Sequence, residues 1–155
     1  MRRSTLLAGL AALGALRALP ASAFDKVTHT DAQWRALLSP QAYEVLRQAG
    51  TEQPFSSPLD EEKRAGTYLC AGCALPVYSS KTKYDSGTGW PSFWAPIPHA
   101  IATKSDTSFM EERTEVHCAR CESHLGHVFD DGPKPTGLRY CMNGVALVFK
   151  PGSAA

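Results

Sequence analysis

The sequence predicts a mainly β domain preceded by one or two short helices. From Gly66 onward, short segments rich in β-branched and aromatic residues alternate with turn residues, as expected for strands. Helical spacing of apolar residues is confined to the stretch before Gly50. The chain also has five cysteines, four of which form two C-x-x-C pairs with the spacing of a metal site.

The chain begins with the features of an export signal. Arg2 and Arg3 precede an apolar run, and Ala21-Ser22-Ala23 has the small-x-small form that signal peptidase cuts. We therefore expect residues 1–23 to be a signal peptide and residues 24–155 to form one mature domain. The paired arginines favour twin-arginine export to a periplasm, with ordinary secretion as the alternative. The apolar run is too short to cross a bilayer, so we expect no membrane anchor.

Charge and length limit the function classes. Removal of the signal discards three arginines and no acid, which lowers the formal net charge from +1 to −2. Such a chain has no basic field for nucleic acid, and we expect no nucleic-acid partner. The mature length is that of a single domain with a real core.

Two helices are predicted near the start of the domain. Thr30-Asp31-Ala32-Gln33 resembles a capping box and predicts the first helix. Ser39-Pro40 starts the second, with serine as N-cap and proline at the first position, and Gly50 is a natural stop. The polar stretch Thr51–Ala65 contains two prolines and predicts a surface connection.

The remainder predicts strands separated by turns. We expect them at Thr67–Cys70, Leu75–Tyr78, Ser92–Trp94, Ala100–Thr103, Thr107–Glu111, Thr114–Cys118, Leu125–Phe129 and Leu138–Lys150. The sequence has no internal repeat beyond the cysteine pairs and no phosphate-binding glycine motif.

The two cysteine pairs predict one structural zinc ion. Cys70, Cys73, Cys118 and Cys121 supply four thiolates, the number that a tetrahedral zinc site needs. In an exported protein, disulfides are the alternative, but a C-x-x-C disulfide closes a very small loop and gains little stability from loop-closure entropy. Because 44 residues separate the pairs, the fold itself must bring them together.

Cys141 is left over and is the candidate nucleophile. Arg139 and Asn143 lie two residues before and after it, so the three side chains share one face if the segment is a strand. A nearby cation lowers the cost of ionising a thiol. The alternative is a buried structural thiol, which free cysteines often are.

Three further motifs carry a resemblance to a known family. They are Ser86–Phe93 (SGTGWPSF), Ser123–Gly132 (SHLGHVFDDG) and Gly137–Asn143 (GLRYCMN). With the cysteine pairs, they resemble the peptide-methionine (R)-S-oxide reductase family, also called methionine sulfoxide reductase B, over residues 30–149. The resemblance implies antiparallel β-sheets forming a small barrel-like core, helices packed outside, and a structural zinc remote from the active site.

The resemblance implies thiol-dependent reduction of methionine-R-sulfoxide in oxidised proteins as damage repair. It implies roles for Cys141 as nucleophile, His127 and His124 as oxygen-binding acids, Asn143 in positioning, and Trp90, Phe93 and Arg139 in substrate binding. Histidine suits the role of acid because it donates protons near neutral pH. We expect reduction to pass through a Cys141 sulfenic acid and to be confined to the R epimer, because separate enzymes serve the two sulfoxide epimers.

Each of these residues also has a simpler interpretation. His124 and His127 have a spacing that suits metal ligands, although four cysteines already fill a zinc site. Trp90 fills the core in the alternative view, and both roles are compatible because a ring has two faces. Asn143 with Gly144 is also a common turn pair.

The regeneration step and the pocket floor depart from the common family pattern. Thr88 occupies the position where many family members carry a resolving cysteine, so we expect an external thiol, from a thioredoxin-like protein or a small molecule, to reduce Cys141. Gly144-Val145-Ala146 replaces the more usual Ser-Ala-Ser. We expect a monomer.

A second function class is a non-catalytic, zinc-ribbon-like binding module. The two cysteine pairs alone fit it equally well. The odd cysteine, the paired histidines, the absence of a basic patch and the export signal all count against it.

Overall fold

The computed structural model describes residues 24–108 and 112–155. The expected signal peptide, residues 1–23, lies outside the described residues. Within them, the chain forms two short helices and nine strands, so the mainly β prediction is confirmed. The described residues include no helix that is both long enough and apolar enough to cross a membrane.

Both helices begin where their capping residues predict. Helix α1 spans Asp31–Leu37, and Thr30 and Gln33 form the reciprocal bonds of a capping box. Helix α2 spans Pro40–Gln48, and the Ser39 hydroxyl accepts a hydrogen bond from the backbone N–H of Ala42.

Helix α2 ends one residue earlier than its glycine indicates. Ala49, not Gly50, takes the left-handed conformation, with a φ of 54°. Its N–H donates to the carbonyl of Glu44, which closes the last turn. Val45 and Leu46 on the inner face of this helix are almost fully buried and attach it to the sheets.

The strands form two antiparallel sheets with linear strand orders. They are β1 Gly66–Cys70, β2 Pro76–Ser79, β3 Lys83–Tyr84, β4 Ser92–Phe93, β5 Ile101–Asp106, β6 Arg113–Cys118, β7 His124–Phe129, β8 Arg139–Met142 and β9 Leu147–Pro151. The smaller sheet has the order β2-β1-β9, and the larger has the order β3-β4-β8-β7-β6-β5. The closed barrel is not confirmed by this arrangement.

Two strand predictions differ from the structure. The segments expected at Ala100–Thr103 and Thr107–Glu111 correspond to one strand, β5, followed by a loop at 107–108; residues 109–111 lie outside the described part. The long run Leu138–Lys150 is divided, because a short 3-10 turn at Gly144–Ala146 takes the chain from the larger sheet to the smaller one.

Aromatic residues fill the core between the two sheets. Phe93 stacks on Tyr78 with ring centroids 4.4 Å apart and meets Tyr68 edge-on at 4.9 Å. All three side chains have no exposed surface. Ring pairs of this kind contribute stabilising free energy beyond that of burying their apolar area, so they help to fix how the two sheets pack.

Candidate active site

Cys141 lies on β8, in the middle of the larger sheet. In the antiparallel registers it is directly opposite Ser92 of β4 and His127 of β7. Residues opposite one another in antiparallel strands project their side chains from the same face. Strand pairing therefore brings the thiol and a histidine together from positions 14 residues apart in the chain.

A cleft of about 120 Å³ opens over this part of the sheet. Its lining comprises Thr51, Trp90, Arg113, Gly126, His127, Phe129, Cys141, Met142 and Asn143. Four of the residues expected from the sequence therefore meet at one cleft. Gly126 permits the close approach of β7 and β8, because a Cβ there would lie 2.1 Å from the carbonyl oxygen of Cys141.

The Cys141 thiol is only partly exposed, and burial raises its pKa. Hydrogen bonding to Thr88 and the positive charge of Arg139 act in the opposite direction without cancelling burial. Thr88 Oγ1 lies 3.9 Å from Cys141 Sγ. The cation thus assists ionisation as expected, but the group remains a thiol at neutral pH in the resting protein.

His127 is oriented by a carboxylate. Its Nε2 lies 2.8 Å from Oδ2 of Asp106, which also accepts a hydrogen bond from Arg113 at 2.9 Å. Hydrogen bonds from Ser108, His127 and Arg113 hold the pKa of Asp106 well below its usual range, so the carboxylate is ionised. An ionised carboxylate only accepts, and His127 Nε2 therefore carries the proton.

His124 forms a second, deeper histidine–carboxylate pair. Its Nδ1 lies 3.0 Å from Oε1 of Glu115, and Lys104 bonds the other oxygen of the same carboxylate at 3.0 Å. Burial lowers the pKa of His124 despite the neighbouring acid. The imidazole is therefore neutral at neutral pH and lies beneath His127, with ring centroids 5.3 Å apart.

An irregularity in strand pairing places the two histidines together. Residues three apart in a regular strand point to opposite faces. The register between β6 and β7 shifts after Val116, which is opposite Gly126, whereas His117 is opposite His124. This extra residue in β7 is a bulge, and it brings His124 to the side of His127.

Asn143 and Trp90 are held by hydrogen bonds at the rim of the cleft. The Asn143 amide donates to the carbonyl of Leu125 at 3.1 Å and accepts from the backbone N–H of Glu52 at 3.0 Å. The Trp90 indole N–H donates to the carbonyl of Glu52 at 3.2 Å. Trp90 is half-buried, so it both packs and faces the cleft.

Phe93 and Arg139 lie outside the cleft lining. The structure places Phe93 in the core, where a fully buried ring has no surface to offer a substrate. Arg139 forms two 2.8 Å hydrogen bonds with Asp131 and stacks over Phe129, which itself lines the cleft. Arg139 therefore acts on the site through charge and through that ring.

The four remaining cysteines form one cluster. Their sulfur atoms all lie within 4.8 Å of one another, and Cys70–Cys121 and Cys73–Cys118 are each 3.6 Å apart. Zinc–sulfur bonds of ~2.3 Å in a tetrahedron put the sulfurs about 3.8 Å apart. All five cysteines are free, so the disulfide alternative is not what the structure contains. Neither candidate histidine belongs to the cluster.

The two cysteine turns share one backbone conformation. In each turn, the backbone N–H of the first cysteine donates to the carbonyl of the residue five positions later. Cys70 donates to Leu75 at 2.8 Å, and Cys118 donates to Ser123 at 2.9 Å. The residue after each second cysteine is left-handed, with φ of 58° and 60°. Two such turns facing each other fit a four-thiolate metal ion.

Three charged residues of the site were not predicted. Asp106, Arg113 and Glu115 lie on β5 and β6, where a sequence shows only ordinary polar strand residues. Asp106 is opposite Arg113 in the register, and Lys104 is opposite Glu115. Opposite charges across the two strands are the signal that was available, but it depends on a register that the sequence does not reveal.

Fold and site together define a class: a mainly β enzyme with one partly exposed thiol beside a histidine–carboxylate pair, and a separate four-cysteine cluster. Comparison with known proteins places the chain in a family of the same class. Residues 38–151 match the SelR domain model, and the chain belongs to this family.

Curated relatives cover most of the chain. A protein of Pseudomonas putida (strain W619) is 56% identical over 132 residues, which are 84% of this chain and 99% of the relative. A protein of Hahella chejuensis is 51% identical over 81% of this chain and 91% of its own length. One from Methanosarcina barkeri is 53% identical over 80% and 88%. All three are named peptide methionine sulfoxide reductase MsrB, which confirms the family expected from the motifs.

Proposed function

We propose that this protein reduces methionine-R-sulfoxide residues of oxidised proteins to methionine. The observation that carries the proposal is the cleft in which Cys141, His127 and Trp90 meet. The names of the relatives support the same reaction. A non-catalytic zinc module explains the cysteine cluster but not a partly exposed thiol opposite a histidine.

The first half-reaction transfers one oxygen atom. Cys141 sulfur forms a transient bond to the sulfoxide sulfur, and the protonated oxygen then migrates to the cysteine sulfur. This migration forms the S–O bond of a Cys141 sulfenic acid, while the substrate S–O bond and the transient S–S bond both break to release methionine. The substrate sulfur gains two electrons and the cysteine sulfur loses two. The thiol proton moves to the departing oxygen, and His127 is the group that carries it, since imidazole accepts and donates near neutral pH.

The carboxylates keep this histidine in one tautomer. Asp106 accepts a hydrogen bond from the protonated Nε2 of His127, which leaves Nδ1 of that ring as the nitrogen able to exchange a proton. Glu115 holds His124 beneath it in the same way. Trp90 provides an apolar wall for the S-methyl group, and this handed arrangement of wall, thiol and acid supports selection of the R epimer.

A single structural zinc ion is proposed at Cys70, Cys73, Cys118 and Cys121. When bound, the metal supplies folding free energy and no redox chemistry. The four cysteines join the end of β1 to the β6–β7 connection. The histidines just after Cys121 therefore depend on this site for the position of their strand.

The second half-reaction returns Cys141 to the thiol. One external thiol condenses with the sulfenic acid to give a mixed disulfide and water, and a second thiol then releases Cys141. The Thr88 hydroxyl lies 3.9 Å from the Cys141 sulfur, at the position where many family members carry a resolving cysteine, and a hydroxyl cannot form a disulfide. We infer a thioredoxin-like protein or a small thiol as reductant.

The mature protein is proposed to act as an exported, periplasmic monomer after loss of residues 1–23. Arg2 and Arg3 with the following apolar run support twin-arginine export. Export left unchanged by replacement of both arginines with lysine argues against that route.

Epimer-resolved turnover tests the proposed reaction. The purified protein with dithiothreitol is given the R and S epimers of a methionine sulfoxide peptide, and only the R epimer is expected to be reduced. Cys141→Ser is expected to abolish reduction while metal content and fold persist, because a serine hydroxyl is a far weaker nucleophile. Equal turnover of both epimers would refute the proposal.

A further inference from the structure

Glu52 is the one buried residue of the connection formed by residues 51–65. Its side chain is 6% exposed, although its neighbours Thr51 and Gln53 are exposed. Within the described residues, its carboxylate bonds two backbone N–H groups, from Gly144 at 2.6 Å and Val145 at 2.9 Å. A charge is removed from water at a substantial cost unless hydrogen bonds compensate, so these contacts are strong and specific.

The carboxylate performs the capping that Asn143 leaves undone. Asn143 is the N-cap of the 3-10 turn after Cys141, yet its side chain makes no capping bond. Asparagine at this position normally accepts from the turn's own N–H groups. Here Glu52 accepts from them across 92 residues of chain, and the Asn143 amide is free to bond elsewhere.

The backbone of the same glutamate bonds the two rim residues of the cleft. Its N–H donates to Asn143 Oδ1 at 3.0 Å, and its carbonyl accepts from the Trp90 indole at 3.2 Å. One residue therefore bonds the turn after the nucleophile, the amide next to it and the aromatic wall. Each contact is lost or weakened if Glu52 moves.

We propose that Glu52 is a positioning residue for the reduction, acting through Asn143 and Trp90. Its side chain anchors the connection to the turn after Cys141, and its backbone thereby fixes the rim of the cleft. The inference rests on the proposed function for its kinetic part only. The anchoring itself is measurable without turnover.

The test compares Glu52→Gln with Glu62→Gln. Glutamine is isosteric, but its amide nitrogen cannot accept a hydrogen bond, so one of the two N–H groups loses its partner. Glu62 is a matched control in the same connection, since its carboxylate also accepts from a backbone N–H and a side chain, both of Arg64.

Two measurements separate positioning from stability, both well below the melting temperature. In the first, kcat for Glu52→Gln is expected to fall roughly 10- to 100-fold, because small misplacements at a reacting centre cost this much. Its KM is expected to change less, and Glu62→Gln to stay within about 2-fold of wild type for both. In the second, the indole N–H signal of Trp90 in a ¹⁵N spectrum is expected to shift, while those of Trp34 and Trp94 serve as internal references.

Each outcome decides the matter. A lower melting temperature with unchanged kcat and an unchanged Trp90 signal overturns the proposal and leaves Glu52 a structural residue. If Glu52→Gln does not fold, amide exchange in the wild type decides: slow exchange at Gly144 and Val145 supports the anchor, and fast exchange overturns it. Absence of sulfoxide reduction by the wild type refutes the proposed function, whereas the spectroscopic result stands independently.

Discussion

Gly144→Ala, alone and with Ser57→Gly, tests how closely the connection packs on the turn after the nucleophile. An ideal Cβ at position 144 lies 1.9 Å from Ser57 Oγ and 2.3 Å from Ser57 Cβ. Rotation of the serine can relieve the first contact but not the second, because Cβ is fixed to the backbone. The glycine in Gly144-Val145-Ala146 is thus matched to a serine on the facing segment.

The expected loss of stability in Gly144→Ala follows from the contact with Ser57 Cβ. Two carbon atoms normally approach to about 3.5–4.0 Å, so the backbones must separate by more than ~1 Å. Inserting a methyl group into a packed site costs about 1–3 kcal/mol. At about 2–4 °C per kcal/mol, or somewhat more for a domain of this size, Gly144→Ala lowers the melting temperature by roughly 2–12 °C.

The double variant distinguishes this contact from general damage. Ser57→Gly alone loses the 3.2 Å hydrogen bond that Leu59 N–H donates to Ser57 Oγ, at a cost of about 1 kcal/mol. Combined with Gly144→Ala, it removes the clash, and the pair is expected to be more stable than Gly144→Ala alone. The coupling free energy is expected at about 1–2 kcal/mol. Ser56→Gly, at the exposed neighbouring serine and likewise combined with Gly144→Ala, is the matched control and gives no rescue.

Thermal unfolding and reductase activity are measured for all four variants and the wild type. Gly144→Ala is expected to lose activity as well as stability, because the turn that moves follows Asn143 directly. Wild-type stability in Gly144→Ala would refute the packing argument. Additive effects of the two substitutions would also refute it, because independent sites add and contacting sites do not.

Three further predictions concern the metal, the buried histidine and the resetting step. Cys118→Ser is expected to lose bound zinc and thermal stability together, and metal analysis that finds full zinc in a stable variant contradicts the assignment. Burial lowers the folded-state pKa of His124 below its unfolded value of about 6.5, so its contribution to stability is complete above that pH and is lost as the pH falls. The melting temperature is therefore expected to drop as the pH falls below about 6.5, and less steeply in His124→Gln; equal slopes would count against the burial argument. After one turnover without reductant, mass spectrometry is expected to show oxidised Cys141 and no protein disulfide in the wild type, but a disulfide to Cys141 in Thr88→Cys, whose wild-type hydroxyl is 3.9 Å away; a wild-type disulfide to a cluster cysteine would overturn this.

Local signals in the sequence predicted the helices well. Thr30 and Ser39 cap the helices that they were expected to start, because a cap is a contact over three residues and needs no tertiary structure. The end of α2 was less exact, since Ala49 adopts the left-handed conformation beside an available glycine. Packing of the helix on the sheets decides which residue leaves it.

Strand positions were partly predictable, but their pairing was not. The segments around Thr67–Cys70 and Leu125–Phe129 lie within one residue of β1 and β7. The two-residue strand β3 was missed, because a segment this short carries no alternation. The division of Leu138–Lys150 between two sheets depends on the turn that Glu52 caps from a distant segment.

The sequence by itself determined the chemical inventory: a spare cysteine at Cys141, two C-x-x-C pairs, and histidines spaced by three. These follow from residue type and spacing along the chain. Only the tertiary structure decided how they act. The bulge in β7 turns His124 and His127 to one side, and the β5–β6 register supplies the carboxylates that orient them. Folding likewise places Phe93 in the core. The physical reason is that these contacts join segments distant in sequence, and their geometry depends on strand register, which single residues do not encode.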